Sequence, residues 1–136
     1  MNEFRKELEE YARNLGVDIF GVADLTVNQV NSFILRQGGE HISSFPKGIS
    51  IGIRLLDSVV DQLYRHEEPS AIYSYRGLYN AVNANLDRTA MLVGKKIQEA
   101  GYNAYTIPAS QTINERKLEG AISNKLSAHL AGLGWI

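Results

Sequence analysis

The sequence predicts an α/β (α+β) fold in which a small mixed sheet is flanked by helices in a two-layer or three-layer sandwich. Three observations lead to this prediction. Apolar residues recur at helical spacing near the start of the chain and again over residues 70–100. Short β-branched segments of alternating polarity lie between the helical ones. Glycines follow the helices where C-terminal caps are expected. With 136 residues, the chain is predicted to form a single domain, residues 1–136.

The first half of the chain supplies two helices and two strands. An amphipathic helix over residues 2–15 ends at Gly16, and a strand over residues 17–23 follows. A short helix over residues 26–37 and a glycine-containing loop then lead to a strand in "GISIGIRL". Small residues on one face of this second strand would let a ligand, a helix or another backbone come close.

The second half contains the longest predicted element. A short helix within residues 55–68 precedes a helix over residues 70–100, whose buried stripe is about eight turns long. "YNAYTIPAS" predicts a third strand, residues 111–120 predict a polar loop, and residues 121–130 predict a last helix.

One arrangement recurs along the chain. "YARNLGVDIFGVAD" and "KIQEAGYNAYTIPA" both contain a helix, a capping glycine followed by an apolar residue, and a strand. "LAGLGWI" begins the same arrangement a third time. Because a strand or a loop leading to one should come next, the pattern favours a chain cut from a longer protein.

Composition excludes several classes of function. The charges nearly cancel, with Lys+Arg 14 and Asp+Glu 15, and no run of like charges indicates a nucleic-acid groove or a polybasic membrane patch. Cysteine is absent, which excludes disulfides, a thiolate nucleophile and cysteine-ligated metal within these residues. The three histidines share no metal-ligand spacing, so no metal site is predicted. Neither a signal peptide nor a membrane span is recognisable, and a soluble cytoplasmic protein with small-molecule or protein partners is expected.

The last segment, "GAISNKLSAHLAGLGWI", resembles the one before the ferredoxin-like module of epoxyqueuosine reductase and related iron–sulfur proteins, distant relatives of corrinoid reductive dehalogenases. "AGLGWI" matches without a gap, and "LGVDIFGVADL" and "FPKGISIGIRL" are similar to earlier family phrases. The resemblance implies a fold similar to nitroreductase-like corrinoid-binding domains, with cobalamin held in this part. It also implies a missing C-terminal iron–sulfur domain, whose two [4Fe–4S] clusters would supply electrons.

The chain departs from the family at positions where acids and a histidine are expected. Leu78, Tyr79 and Asn80 occupy the place of an Asp-Tyr-His tripeptide. Leu118 occupies the place of the aspartate that is the proton donor in epoxyqueuosine reductases, and Glu119 is the nearest acid. The resemblance is therefore to the epoxyqueuosine-reductase-like proteins rather than to the queuosine enzyme, and retention of tRNA modification stays open.

A related subgroup carries Gly-x-x-Ser-His-Lys before its last helix. "GAISNK" agrees with it at Gly120, Ser123 and Lys125 and has Asn124 in place of the histidine. The comparison makes Lys125 a charge partner or proton donor, so Lys125 and Glu119 are the candidate catalytic residues.

A first group of candidate cofactor-binding residues lies on the long helix. Tyr73, Arg76 and Asn80 point away from its apolar stripe, and arginine binds carboxylate or phosphate in a bidentate manner. Tyr75 and Tyr79 could also line a cofactor pocket, but they lie on the stripe, and a core position with the hydroxyl reaching the edge is the favoured expectation.

Two further groups lie near the end of the chain. Ser110 and Gln111 come just after the predicted third strand, where ligands of open α/β sheets bind, although an ordinary polar loop explains them equally well. Ser123 and Asn124 lie at the start of the last helix, where free N–H groups favour an anion. A simple N-cap role would also explain Ser123.

Two other functions stay open. A small α/β binding or assembly module would use Trp135 and Ile136 as a hydrophobic anchor for a partner or for a second copy in a homodimer. A flavin-dependent reductase would hold FMN in place of cobalamin. In the leading interpretation, an iron–sulfur oxidoreductase, the chain alone is expected to be inactive.

Overall fold

A computed structural model describes residues 2–110, 120 and 122–135. These residues form helices and two strands, which confirms the α+β class. In chain order the elements are α1 (Asn2–Asn14), β1 (Ile19–Asp24), α2 (Asn28–Gly38), α3 (Glu40–Ser43), β2 (Lys47–Gly52), α4 (Asp57–Val60), a 3₁₀ turn (Leu63–Arg65), α5 (Pro69–Glu99) and α6 (Asn124–Leu130).

β1 and β2 form an antiparallel pair in which Ile19 lies opposite Gly52 and Asp24 lies opposite Lys47. Because side chains alternate along a strand, one face of the pair, the large face, carries Phe20, Val22, Ile49 and Ile51, and the other, the small face, carries small residues apart from Ile19 at its end. The large face contacts the core cluster formed with α1 and α5. The small face contacts α6 and the residues after it. Helices therefore cover both faces, in a three-layer arrangement.

The core consists of two clusters, one on each side of the sheet. The cluster on the α1 and α5 side contains Leu8, Ala12, Val17, Phe20 and Val93. The cluster on the α2 and α6 side contains Ala23, Leu25, Ile34 and Ile42, with Ile107 among the residues packed against it.

The small face of the sheet allows a close helix contact, as the sequence predicts. A Cβ placed on Gly21 would lie 2.9 Å from the Cβ of Ala131, just after α6. A Cβ on Gly48 would lie 3.2 Å from the Oγ of Ser127, which is in α6. A side chain at Gly21 would therefore require the residues just after α6 to move, and one at Gly48 would press on Ser127 and Leu25.

The recurring helix-to-strand arrangement is a Schellman cap in the structure. At the end of α1, Gly16 has a φ of 102°, Val17 N–H donates to Ala12 O at 3.2 Å, and Gly16 N–H donates to Arg13 O at 3.0 Å. The same two bonds recur at Gly101, after α5, and at Gly132, after α6. All three glycines have positive φ, so the sequence predicts these turns correctly.

Three predicted elements differ from the structure. The helix within residues 55–68 is broken into α4 and the 3₁₀ turn. Residues 102–108 are irregular and form no strand with the described residues. The polar loop over residues 111–120 falls on residues outside the described part, apart from Gly120.

The buried stripe of α5 is shorter than predicted. Its fully buried residues are Thr89 and Val93, both in the C-terminal half, while Tyr79 is 44% exposed and Tyr75 is half-buried. The reason is length, since a helix of 31 residues extends about 46 Å and a strand of six residues about 20 Å. The sheet is too short to cover the whole helix, so the predicted core position of Tyr79 is wrong, whereas half-buried Tyr75 is compatible with a core ring whose hydroxyl reaches the edge.

Candidate functional site

A cleft of about 360 Å³ runs along the outer edge of β2, the edge that does not face β1. α5 forms one wall, α6 forms the other, and residues 103–109 border the open side. Much of the lining is apolar, and the α5 wall includes Ala90, Gly94 and Ile97. Gly94 has no side chain, so the backbone of α5 itself forms part of the surface.

Polar side chains from both helices line the cleft, and two of them meet at the end of the bordering segment. Asn83 and Asp87 reach the cleft from α5, and Asn124 and Ser127 reach it from α6. The Asp87 carboxylate accepts a 2.8 Å hydrogen bond from the N–H of Ala109. The Asn124 amide Nδ2 lies 3.4 Å from both the Pro108 and the Ala109 carbonyl oxygens. These bonds tie the end of the bordering segment to both helices.

The structure brings two of the three predicted groups together. Asn124 hydrogen-bonds the backbone directly before Ser110, which is exposed just beyond the bordering segment. Ser123 is an N-cap, because its Oγ accepts from Leu126 N–H at 3.1 Å. Lys125 is exposed and does not line the cleft in the described part of the chain. Gln111 and Glu119 lie outside the described residues.

The third predicted group lies elsewhere. Tyr73, Arg76 and Asn80 are all exposed and line a separate shallow groove, whose other side is formed by Leu56 and Val59 at α4. Tyr73 has 82% of its surface exposed. Eleven residues separate Arg76 from Asp87, which corresponds to about 16 Å along the helix axis. The two groups therefore cannot hold the same compact ligand.

The sequence interpretation missed Asn83, Asp87 and Gly94. These residues follow one another at steps of four and seven on α5, so they share a helix face. Two polar residues and a glycine lie along the edge of the apolar stripe of α5, and this pattern could have indicated the wall of a binding site. It was overlooked because the exposed tyrosines carry more conspicuous chemistry.

Other features bear on the class of site. The described residues contain no group of three or more His, Cys, Asp or Glu side chains placed to hold a metal ion. None of the described helices combines the length and the apolar character needed to cross a membrane. Trp135 is 91% exposed.

The fold and the cleft define a small α+β domain with a small-molecule-sized, partly apolar cavity beside a strand edge. Comparisons with protein-family models, with curated proteins and with solved structures find no match to this chain.

Proposed function

We propose that this chain is the cofactor-binding portion of an iron–sulfur oxidoreductase similar to epoxyqueuosine reductase, and that the cleft beside β2 holds a corrinoid-type cofactor. The cleft is the observation that carries the proposal. Its volume of about 360 Å³ falls within the ~300–1,000 Å³ range of small-molecule sites. Its apolar walls and the polar side chains among them also match the usual composition of such sites.

At about 360 Å³ the cleft could enclose only part of a corrinoid, one edge of the ring with its polar periphery. Ala90, Gly94 and Ile97 offer an apolar surface to the ring, and the amides of Asn83 and Asn124 can pair with peripheral carboxamides. No histidine is among the described lining residues, so these residues offer a corrinoid no imidazole ligand. They would instead bind through the ring and its substituents, and would exclude water from one face.

A bound corrinoid would supply the electron-transfer chemistry, and the protein would supply its orientation and surroundings. The chain contains no cysteine, so cysteine-ligated clusters that deliver electrons would belong to other polypeptide. Oxidoreductase activity is therefore expected only when that iron–sulfur part is present.

The test is a titration of the purified chain with hydroxocobalamin and, separately, with FMN. The absorbance spectrum reports binding, and the thermal midpoint reports preferential binding to the folded state. At a ligand concentration of 100 Kd the stabilisation is about 2.7 kcal/mol, which raises the Tm of a chain of this size by roughly 10 °C. A corrinoid-specific rise is the expected result.

Two leucine substitutions on α5 locate the site. Gly94→Leu places a side chain between α5 and the bordering residues Ala104 and Thr106, which narrows the cleft and should abolish the rise in Tm. Gly77→Leu is the matched control, since Gly77 lies on the same helix and a Cβ there meets nothing within 4 Å. If Gly77→Leu abolished binding and Gly94→Leu did not, the site would be the groove at Tyr73, Arg76 and Asn80, and the assignment to the cleft would be wrong.

A flavin-dependent reductase is the second candidate, because the same apolar walls suit an isoalloxazine ring. A rise in Tm with FMN and none with hydroxocobalamin would favour it. The exposure of Trp135 favours a third candidate, a module that binds a partner or a second copy through this residue. Concentration-dependent light scattering that disappears in Trp135→Ser, with no effect of either cofactor, would select that candidate.

A further inference from the structure

Residues 102–108, here called the strap, run beside β2 in the same direction. The strap begins at the C-terminal end of α5, and a Cβ on Gly94 would lie 3.6 Å from Ala104 and 3.7 Å from Thr106. Ala109, just beyond it, bonds Asp87. Later residues of the strap region thus meet earlier residues of α5, so the two run antiparallel.

The direction of β2 follows from α1. Lys96 pairs with Glu7 at 2.9 Å, and a Cβ on Gly16 would lie 3.5 Å from Asn85, so α1 and α5 are antiparallel. β1 leaves the Gly16 end, and β2 returns antiparallel to β1. β2 therefore also runs from the C-terminal end of α5 towards its middle. The rings of Phe45, just before β2, and Tyr105 lie 6.2 Å apart, which places the strap level with the start of the strand.

The outer edge of β2 has backbone groups available for pairing. Leu25 N–H donates to Pro46 O at 2.9 Å, which identifies this pair as hydrogen-bonded. In an antiparallel ladder the bonded positions alternate, so Lys47, Ile49 and Ile51 direct their N–H and C=O groups away from β1. Within the described part of the chain, no backbone hydrogen bond reaches these three residues from the outer side.

The backbone of the strap is hydrogen-bonded at its two ends and unpaired between them, whereas side chains hold its middle: Ile107 packs on a core cluster, and the Tyr105 ring lies near His41 and Phe45. Tyr102 N–H donates to Ile97 O at 3.2 Å, and the Asn124 amide contacts Pro108 O. Among the described residues, none makes a hydrogen bond to the backbone of residues 103–107. Two parallel segments joined by a long helix are the usual parts of a parallel strand pair. The cleft separates them, because both segments line it.

We propose that the strap gates the cleft. With no ligand bound, it pairs with the outer edge of β2 as a third, parallel strand, and the space between them closes. A ligand in the cleft takes up that space and holds the strap in the position described above, so ligand and strand compete for the edge. This inference rests on the proposed function, in which the cleft is the cofactor site. The closed state, however, forms in the ligand-free chain, so pairing of the strap with β2 can be measured without any cofactor.

The experiment is amide hydrogen exchange of the ligand-free chain, resolved by NMR at Ile49 and Ile51. Closure predicts exchange at least about tenfold slower than for exposed amides. Exchange as fast as in an exposed loop would overturn the gate, whether or not hydroxocobalamin or FMN binds. Slow exchange with no binding of either cofactor would leave the gate standing and count against the proposed function instead.

Proline substitutions provide an internal control. Successive residues of a strand direct their N–H groups to opposite edges, so only one of Thr106→Pro and Ile107→Pro, which lie level with the first residues of β2, removes a donor to β2. In one variant the amides of Ile49 and Ile51 should exchange about tenfold faster than in the parent chain, while in the other their exchange rates should stay the same. Exchange at Val93, in the core, must stay unchanged in both, which excludes general unfolding. Equal behaviour of the two variants at Ile49 and Ile51 would contradict strand pairing.

Discussion

Gly21→Ala tests the closest contact between the sheet and α6. Replacing a glycine within a strand by alanine ordinarily raises the free energy of unfolding by about 0.5–1 kcal/mol. Here the new Cβ would lie 2.9 Å from the Cβ of Ala131 and 3.0 Å from two carbon atoms of Leu133. Carbon atoms pack best at about 3.5–4.0 Å, so the segment after α6 must move by roughly 0.5–1 Å. Overpacking of this kind costs about 1–3 kcal/mol.

We therefore expect Gly21→Ala to lower the free energy of unfolding by about 0.5–2 kcal/mol, whereas the same change in an ordinary strand raises it. Urea unfolding at equilibrium measures it. Gly77→Ala is the matched control, since a Cβ there meets nothing within 4 Å and alanine favours helix, so a gain of about 0.5–1 kcal/mol is expected.

The double variant Gly21→Ala with Ala131→Gly identifies the cause of the loss. Removing the opposing Cβ should recover part of the stability, and the double-mutant cycle measures that coupling. Ala131 has a φ of −79° and a ψ of −3°, which glycine adopts without strain. If Gly21→Ala were as stable as the parent chain, or if the two changes were simply additive, the reasoning on the packing of α6 would be refuted.

Three further predictions concern single side chains. Thr89 is fully buried and its Oγ1 has no hydrogen-bond partner in the described part of the chain, so Thr89→Val should stabilise the protein by about 1 kcal/mol in urea unfolding. A loss of stability would point to a missed partner. Ser123→Ala removes the N-cap of α6 and should lower the free energy of unfolding by about 1 kcal/mol. Ser123→Asp keeps a capping oxygen and should retain most of that stability. Equal losses in both variants would argue against capping. Hydrogen bonds from Thr26, with a contribution from Lys47, lower the pKa of the Asp24 carboxyl. A carboxyl whose pKa is lowered by folding adds stability above the ordinary pKa of aspartate and loses it as the pH falls through the lowered value. The difference in urea midpoint between the parent chain and Asp24→Asn should therefore shrink on acidification from neutral pH, and a constant difference would contradict the pKa shift.

Local signals in the sequence predicted most of the fold. The first two strands, α1, α2 and the extent of α5 follow from periodicity, and Gly16, Gly101 and Gly132 identify the caps. These features depend on residues that are only a few positions apart, so they can be recognised from one sequence alone. The break within residues 55–68 was missed because its apolar spacing is helical although the segment lies at the surface.

The candidate site could be predicted only in part. The proximity of Ser110 to Asn124 depends on where α6 docks, yet both residues were identified from their places at element ends. Asp87 gave no comparable signal, because its partner, the N–H of Ala109, is 22 positions away and carries no sequence preference. The core position of Tyr79 was wrongly predicted for a different reason. Periodicity shows that a helix has an apolar stripe, but not how much of it the rest of the fold can reach.

The three equivalent caps also bear on the order in which the chain folds. Each cap closes over six residues, so it can form together with its helix in about a microsecond, long before distant segments meet. The turn at Gly101 sends the following segment back along α5 as soon as the helix ends. That segment thus arrives beside β2 without an independent search, which reduces the loop-closure entropy that makes parallel pairing slow.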